Sequence, residues 1–107
     1  MIARRWRGRV RAADHDAYLR YVEETGIAAL RATPGNEGVW VFRHLDEAGG
    51  TSEIEVVSLW RDRGSVEAFA GADIDVARFF PEDDRYLVDR ELTVRHDTVD
   101  VYPGEDG

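Results

Sequence analysis

Cysteine and lysine are both missing from this 107-residue sequence, and asparagine occurs once, as Asn36. Without thiols there are neither disulfide staples nor thiolate metal ligands, which fits a reducing compartment and makes the cytoplasm the expected location. With no lysine, 14 arginines carry all the positive side-chain charge against 22 acidic residues, a net charge of -8. That balance repels phosphate backbones and anionic bilayers, so neither nucleic acid nor membrane is an expected partner. No stretch approaches the roughly 20 apolar residues of a spanning helix, and the opening MIARRWRGRV places charges where a secretory segment needs apolar residues. Gly-rich phosphate loops, HExxH and GxSxG are absent as well, so no cofactor and no metal is expected.

What is present is a single domain's worth of chain, 1–107, with positive charge concentrated at one end. Five arginines fall within ARRWRGRVR, while all 22 acids lie further on. Ile2, Trp6 and Val10 share one parity, interrupted by Arg4 and Gly8, and Arg5, Arg7, Arg9 and Arg11 occupy the other. A basic arm has no reason to alternate; a strand with one guanidinium face does.

After this strand, ADHDAYLRYVEETGIAALRAT offers Asp14 as an N-cap and an apolar stripe through Leu19, Val22, Ala29 and Leu30, an amphipathic helix with a break near Gly26. Pro34 and Gly35 then suit a type II turn. GVWVFRHL and EIEVVSLW, rich in β-branched and aromatic residues and separated by DEAGGTS, predict a hairpin. Ser65 is the expected cap of a second helix that runs through VEAFAG into DIDVARFF, burying Val66, Phe69, Ile74, Ala77 and Phe80. LTVRHDTVDVY reads as a last strand whose apolar parity switches, which predicts a bulge near His96 and Asp97. PEDDRYLVDRE is indeterminate, its acids reading with Asp73 and Asp75 as a solvated face, and residues 102–107 read as a loose tail.

The order βαββαβ fits a ferredoxin-like α+β fold, with an antiparallel sheet in the order 4-1-3-2 and both helices on one face. Strand one then lies beside strand three, so its odd-side arginines meet Glu53 and Glu55. VWVF and VVSLW are apolar at successive positions and need cover on both faces. Helices supply one cover; a second copy of the chain, packed sheet to sheet as a homodimer, is expected to supply the other.

RATPGNEGVWVFR followed by VVSLWRDRGSVEAFAGADI resembles the antibiotic biosynthesis monooxygenase family of dimeric α+β barrels, over about residues 2–101. The resemblance implies the fold and the dimer, and a range of chemistries: cofactor-free oxygenation of polycyclic phenols, quinol oxygenation or haem degradation. Trp60 matches the family's tryptophan at the end of strand three, and Phe69 stands where many members carry His or Trp. Phe79 falls where the haem-degrading branch has its axial histidine, and Trp6 or Arg7 where that branch has asparagine; both departures argue against haem degradation.

Among groups able to move a proton, His96 is the leading candidate base, because a buried imidazole with a lowered pKa accepts protons near neutral pH. His15 reads as a surface residue of the first helical turn, and His44 shares parity with Trp40 and Phe42. Trp60, Phe69, Trp6, Phe79, Tyr86 and His44 are the expected lining of a flat cavity for a small aromatic ligand. The resulting expectation is a cofactor-independent monooxygenase that deprotonates an electron-rich phenol, anthrone or hydroquinone with His96, Arg43 or a strand-one arginine stabilising the anion. One alternative is a non-enzymatic dimeric barrel holding a small aromatic or apolar ligand, which predicts a cavity without histidine. The other is a haem protein using His15, His44 or His96 as axial ligand.

Overall fold

A computed structural model describes residues 1–105. It contains β1 (Ile2–Arg11), a 3-10 turn (Ala12–Asp14), α1 (His15–Val22), a π-helical turn (Glu23–Ile27) and α2 (Ala28–Ala32). β2 (Asn36–Asp46), β3 (Thr51–Trp60), α3 (Arg63–Ala70), α4 (Asp83–Tyr86), β4 (Leu87–Arg90) and β5 (Arg95–Thr98) follow. The sheet runs β2-β3-β1-β4, with β5 also on β1, and every pairing is antiparallel. This is the ferredoxin-like α+β arrangement, and among the described residues no helix is long and apolar enough to cross a membrane.

The alternation of β1 sets the two faces of the sheet. Arg7 lies opposite Glu55 and Arg9 opposite Glu53 in the β1–β3 ladder. Arg5 bonds Glu55, and Arg7 lies 3.7 Å from that carboxylate. These half-exposed pairs are each worth at most about 1 kcal/mol, so they fix register more than they stabilise. Ile2, Trp6 and Val10 face the helices. Val10 and Ile54 pack with Tyr18, Val22 and Leu87 in one core cluster; Trp60, Val66, Phe69, Leu30 and Ile74 form the other. Tyr18, rather than Leu19, is the deeply buried residue of α1.

Local chemistry departs from expectation at three places and meets it at Gly26. Asp14 makes no cap bond and instead accepts from Arg11 at 2.8 Å, because the 3-10 turn already carries the chain into α1. Gly26 lies inside the π-helical turn, which is how the long helix accommodates its break. The second helix starts from Asp62, whose carboxylate accepts from the Ser65 N–H and hydroxyl, both at 2.8 Å, so Ser65 is the capped residue and not the cap. Those bonds lower the Asp62 pKa, the backbone bond most. α3 then stops at Ala70, where Gly71 turns with φ +89, and DIDVARFF is not helical.

The last strand is also divided. β4 pairs with residues 8–10 of β1 and β5 with residues 2–5, so the fourth sheet position is filled by two short pieces laid end to end. PEDDRYLVDRE supplies α4 and β4. The register shift falls at Arg9/Val10 against β4, whereas His96 and Asp97 pair regularly. The tail expected over 102–107 has neither strand nor helix through residue 105, and its last two residues lie outside the described residues.

The open face of the sheet is apolar only in part. Trp40 is 49% exposed and Phe42 59%, both on β2, while Arg5, Arg7, Arg9, Glu53 and Glu55 occupy the middle strands.

Candidate functional site

Sheet and helices do not close completely over one another. A half-open cleft with about 70 Å³ of accessible space remains between the helix-facing side of β1 and β3, helices α1–α3, and the irregular segment 71–82. That space is well below the range of about 300–1,000 Å³ typical of small-molecule sites, so any occupant is small. Apolar wall comes from Trp6, Val56, Val22, Leu30, Phe69 and Phe79. Polar groups in the wall include Arg4, Arg78, Tyr18, Asp83, Thr25 and Ser58.

Three of the expected lining residues are therefore in place: Trp6, Phe69 and Phe79. Trp6 meets Phe79 edge to face with centroids 6.0 Å apart, and its indole N–H donates to Glu91 O at 2.8 Å. The others lie elsewhere. Trp60 is wholly buried behind Phe69, its indole N–H donating to Ser58 Oγ at 2.8 Å, and serves the core. Tyr86 stacks against Tyr18 and Tyr21 at 5.4 and 5.7 Å. His44 is on the open face of the sheet, across from Glu53, because β2 parity carries it there with Trp40 and Phe42. Arg43 points to the helix side but lies far along β2, where it donates to His15 O and Asp16 Oδ1 at 3.3 Å. Neither His44 nor Arg43 reaches the cleft.

Arg4, read in the sequence only as an interruption of apolar parity, is the main polar element of the wall. It is 5% exposed. Its guanidinium donates to Ile74 O, to Val76 O at 3.0 Å and to His96 Nε2 at 3.2 Å, tying β1 to the segment 71–82 and to β5. Burial lowers its pKa to about 10, against an opposing pull from Asp75, so it remains a cation at neutral pH. The sequence signal was an arginine between Ile2 and Trp6 on the buried parity, where a charge persists only with partners.

His96 stands behind Arg4 and does not line the cleft. Arginine has no acceptor, so the 3.2 Å contact requires the imidazole Nε2 lone pair, and Nδ1–H is left facing Asp75 Oδ1 at 3.4 Å. The candidate base is thus neutral with its lone pair already engaged. Burial, then the charge of Arg4, lower its pKa; Asp75 opposes them and Arg63 adds a smaller lowering. The unfolded chain takes up this proton near pH 6.5 and the native state resists it. Stability from His96 is therefore complete above about pH 6.5 and lost as pH falls through the lower native value. Thermal melts between pH 7.5 and 5 should fall more steeply for the wild type than for His96→Gln; parallel curves would contradict the arrangement.

The remaining polar pair is Tyr18 and Asp83. Tyr18 O–H donates to Asp83 Oδ1 at 2.9 Å, and Phe80 N–H to Asp83 Oδ2 at 2.7 Å. Burial and then the neighbouring carboxylate push the phenol pKa up. Asp83 is thus buried rather than part of a solvated acidic face. His15, expected on the surface, is half-buried and lies 2.6 Å from Ser52 Oγ. Among the described residues no three His, Asp or Glu side chains gather as a metal site would require.

The class defined by this geometry is a ferredoxin-like α+β domain with an aromatic-walled cleft between sheet and helices. Its overall fold is similar to that of Rv0793 from Mycobacterium tuberculosis, with a TM-score of 0.58 over 96% of this chain and 98% of that one, at 17% identity. No family model matches the chain. In sequence, 57 residues, 53% of the chain, are 44% identical to glucose-1-phosphate adenylyltransferase from Rhodopseudomonas palustris strain TIE-1. The same enzyme from strain ATCC BAA-98 / CGA009 matches equally. The matched stretch spans 13% of either enzyme's length.

Proposed function

We propose that this domain holds a small aromatic molecule in the cleft between sheet and helices. The observation that supports the reading is the wall itself: Trp6, Phe69 and Phe79 offer flat apolar surface beside a mouth open to solvent, with no histidine among the lining residues. A cleft without a histidine is the arrangement expected of a carrier or sensor. The axial ligand a haem would need is likewise not supplied at the cleft by His15, His44 or His96.

The second reading is cofactor-independent oxygenation of an electron-rich phenol or hydroquinone, the chemistry implied by the resemblance to the antibiotic biosynthesis monooxygenase family. In that reaction the phenol proton passes to water at the open mouth, His96 having its lone pair engaged, and the phenolate gives one electron to dioxygen to leave a phenoxyl radical and superoxide. The Arg4–His96 contact favours it, since Arg4 in the wall stabilises the developing anion and His96 positions Arg4. The partial likeness to the adenylyltransferases covers too little of those enzymes to support nucleotidyl transfer here.

On the open face, a second copy of the chain is the proposed cover for Trp40 and Phe42, the Arg–Glu rows of the middle strands meeting their counterparts across a twofold axis.

One experiment addresses these readings together: titration with phenol, hydroquinone, 1-naphthol and anthrone, followed by tryptophan fluorescence and dissolved oxygen, on protein whose mass is known from sedimentation. Saturable quenching without oxygen uptake, on a particle of twice the chain mass, is the expected result. Uptake that drops by about tenfold in His96→Ala favours the oxygenase. No quenching by any compound overturns the cleft reading, and a single-chain mass overturns the dimer.

A further inference from the structure

We infer that the molecule held in the cleft is an anion, an aromatic carboxylate whose ring lies on the apolar wall and whose carboxylate meets the guanidinium groups of Arg4 and Arg78. The inference rests on the cleft reading above and adds the charge of its occupant.

Two cations share this wall. Arg78 stacks over Phe69 and Phe80, its guanidinium carbon 4.9 and 5.0 Å from their centroids, and Arg4 lies 5.7 Å from the same Phe69 ring. One phenyl ring thus has a guanidinium from β1 and another from the segment 71–82 beside it. The acid in the lining, Asp83, has both oxygens occupied, by the Tyr18 hydroxyl and the Phe80 N–H. Asp75, which faces Arg4 and His96, is largely exposed and lies outside the lining.

Donors also exceed acceptors. Arg4 uses Nη1 on Ile74 O and His96 Nε2, and Nη2 on Val76 O. Arg78 uses Nη1 on Phe69 O at 3.2 Å. Among the described residues the Nε–H groups of both side chains make no bond to the protein, and that of Arg4 is open to solvent rather than sealed. Arg4 is buried and Arg78 exposed, so the pair runs from the wall out to solvent; a guanidinium favours an ionised partner that takes two N–H bonds at once, which a carboxylate does and a neutral phenol does not. The positions of the arginines beside Phe69 place such a group next to the ring surface an aromatic ligand would occupy.

The test compares acids with amides of the same shape: benzoate against benzamide, and 1-naphthoate against 1-naphthamide, titrated at pH 7.5 by tryptophan fluorescence. The acid of at least one pair should bind about tenfold more tightly or better. Arg78→Gln should narrow that ratio to below about threefold, and Arg78→Lys should restore part of it. The wild-type comparison stands even if a variant does not fold. Equal affinity, or preference for the amide, overturns the inference and leaves the cleft reading intact. Failure of both acids and both amides to bind overturns both.

Discussion

Trp60→Ala should lower the unfolding free energy by about 4 kcal/mol, the range for removing a large buried aromatic being roughly 3–5. Trp60 is 0% exposed and packs with Phe69, Val66 and Leu30, so its loss opens a hole beneath the cleft that neither β3 nor α3 can collapse to fill. It also leaves Ser58 Oγ, itself buried, without the indole donor. A loss of this size is a large share of the 5–15 kcal/mol or so that holds a small domain together, and urea unfolding should show it as a lower midpoint at constant slope. Trp60→Phe keeps most of the apolar area and should cost about half as much. A change below about 1 kcal/mol for Trp60→Ala would mean the side chain is not where it is described.

Gly35→Ala should cost about 3 kcal/mol, from two sources that act together. Asn36 N–H donates to Thr33 O at 3.1 Å, which closes the type II turn, and Gly35 holds φ +93 at its third position. A side chain there carries backbone strain of at least about 1 kcal/mol. A Cβ would also fall 2.5 Å from Ser65 Cβ and closer still to its hydroxyl. Ser65 cannot step aside, since its N–H and hydroxyl are bonded to Asp62 and its neighbour Val66 is fully buried. The overlap adds a further 1–3 kcal/mol or so. Because the same contact joins the turn before β2 to the start of α3, the variant should lose stability without losing the hairpin, which far-ultraviolet circular dichroism at low temperature would register as a native spectrum. Wild-type stability in Gly35→Ala would show that the turn and α3 do not touch.

Much of the frame is legible in the sequence because it depends on short-range patterns. The parity of Ile2, Trp6 and Val10 against Arg5, Arg7 and Arg9 fixes both faces of β1, and Pro34-Gly35 fixes the turn into β2. The strand order follows from the βαββαβ order of elements, and it sets Arg7 and Arg9 against Glu55 and Glu53. Residues 71–98 are less legible, because there the local pattern is overruled by long-range contacts. Ile74 and Ala77 have helical spacing and are buried, yet Gly71 ends α3 and the Ile74 and Val76 carbonyls are turned toward Arg4. Leu87 reads as part of an ambiguous acidic stretch until it is seen packing on Val10 and Ile54.

The candidate site divides along the same line. Trp6 reaches the cleft from the buried parity of β1 and Phe69 from its buried helical position, whereas Phe79 lines it although the helical pattern buries Phe80 instead. Trp60, Tyr86, His44 and Arg43 do not, because residue type says nothing about which side of a packed ring the space lies on. His96 is where parity places it, in a strand beside β1, but its environment is set by Arg4, 92 positions earlier. The pairing of these two residues across β1 and β5 is a property of register, which no local stretch of sequence encodes.

The outer rim of the sheet is made of two short strands, with residues 91–94 bridging them opposite Trp6. That bridge is pinned by Glu91 N–H on Arg7 O, Val94 N–H on Asp75 O, Ala77 N–H on Leu92 O and the Trp6 indole N–H on Glu91 O. The bridge is thus tied to β1 on one side and to the segment 75–77 on the other, so the cleft wall at Trp6 is held from two directions although no single ladder runs along the rim.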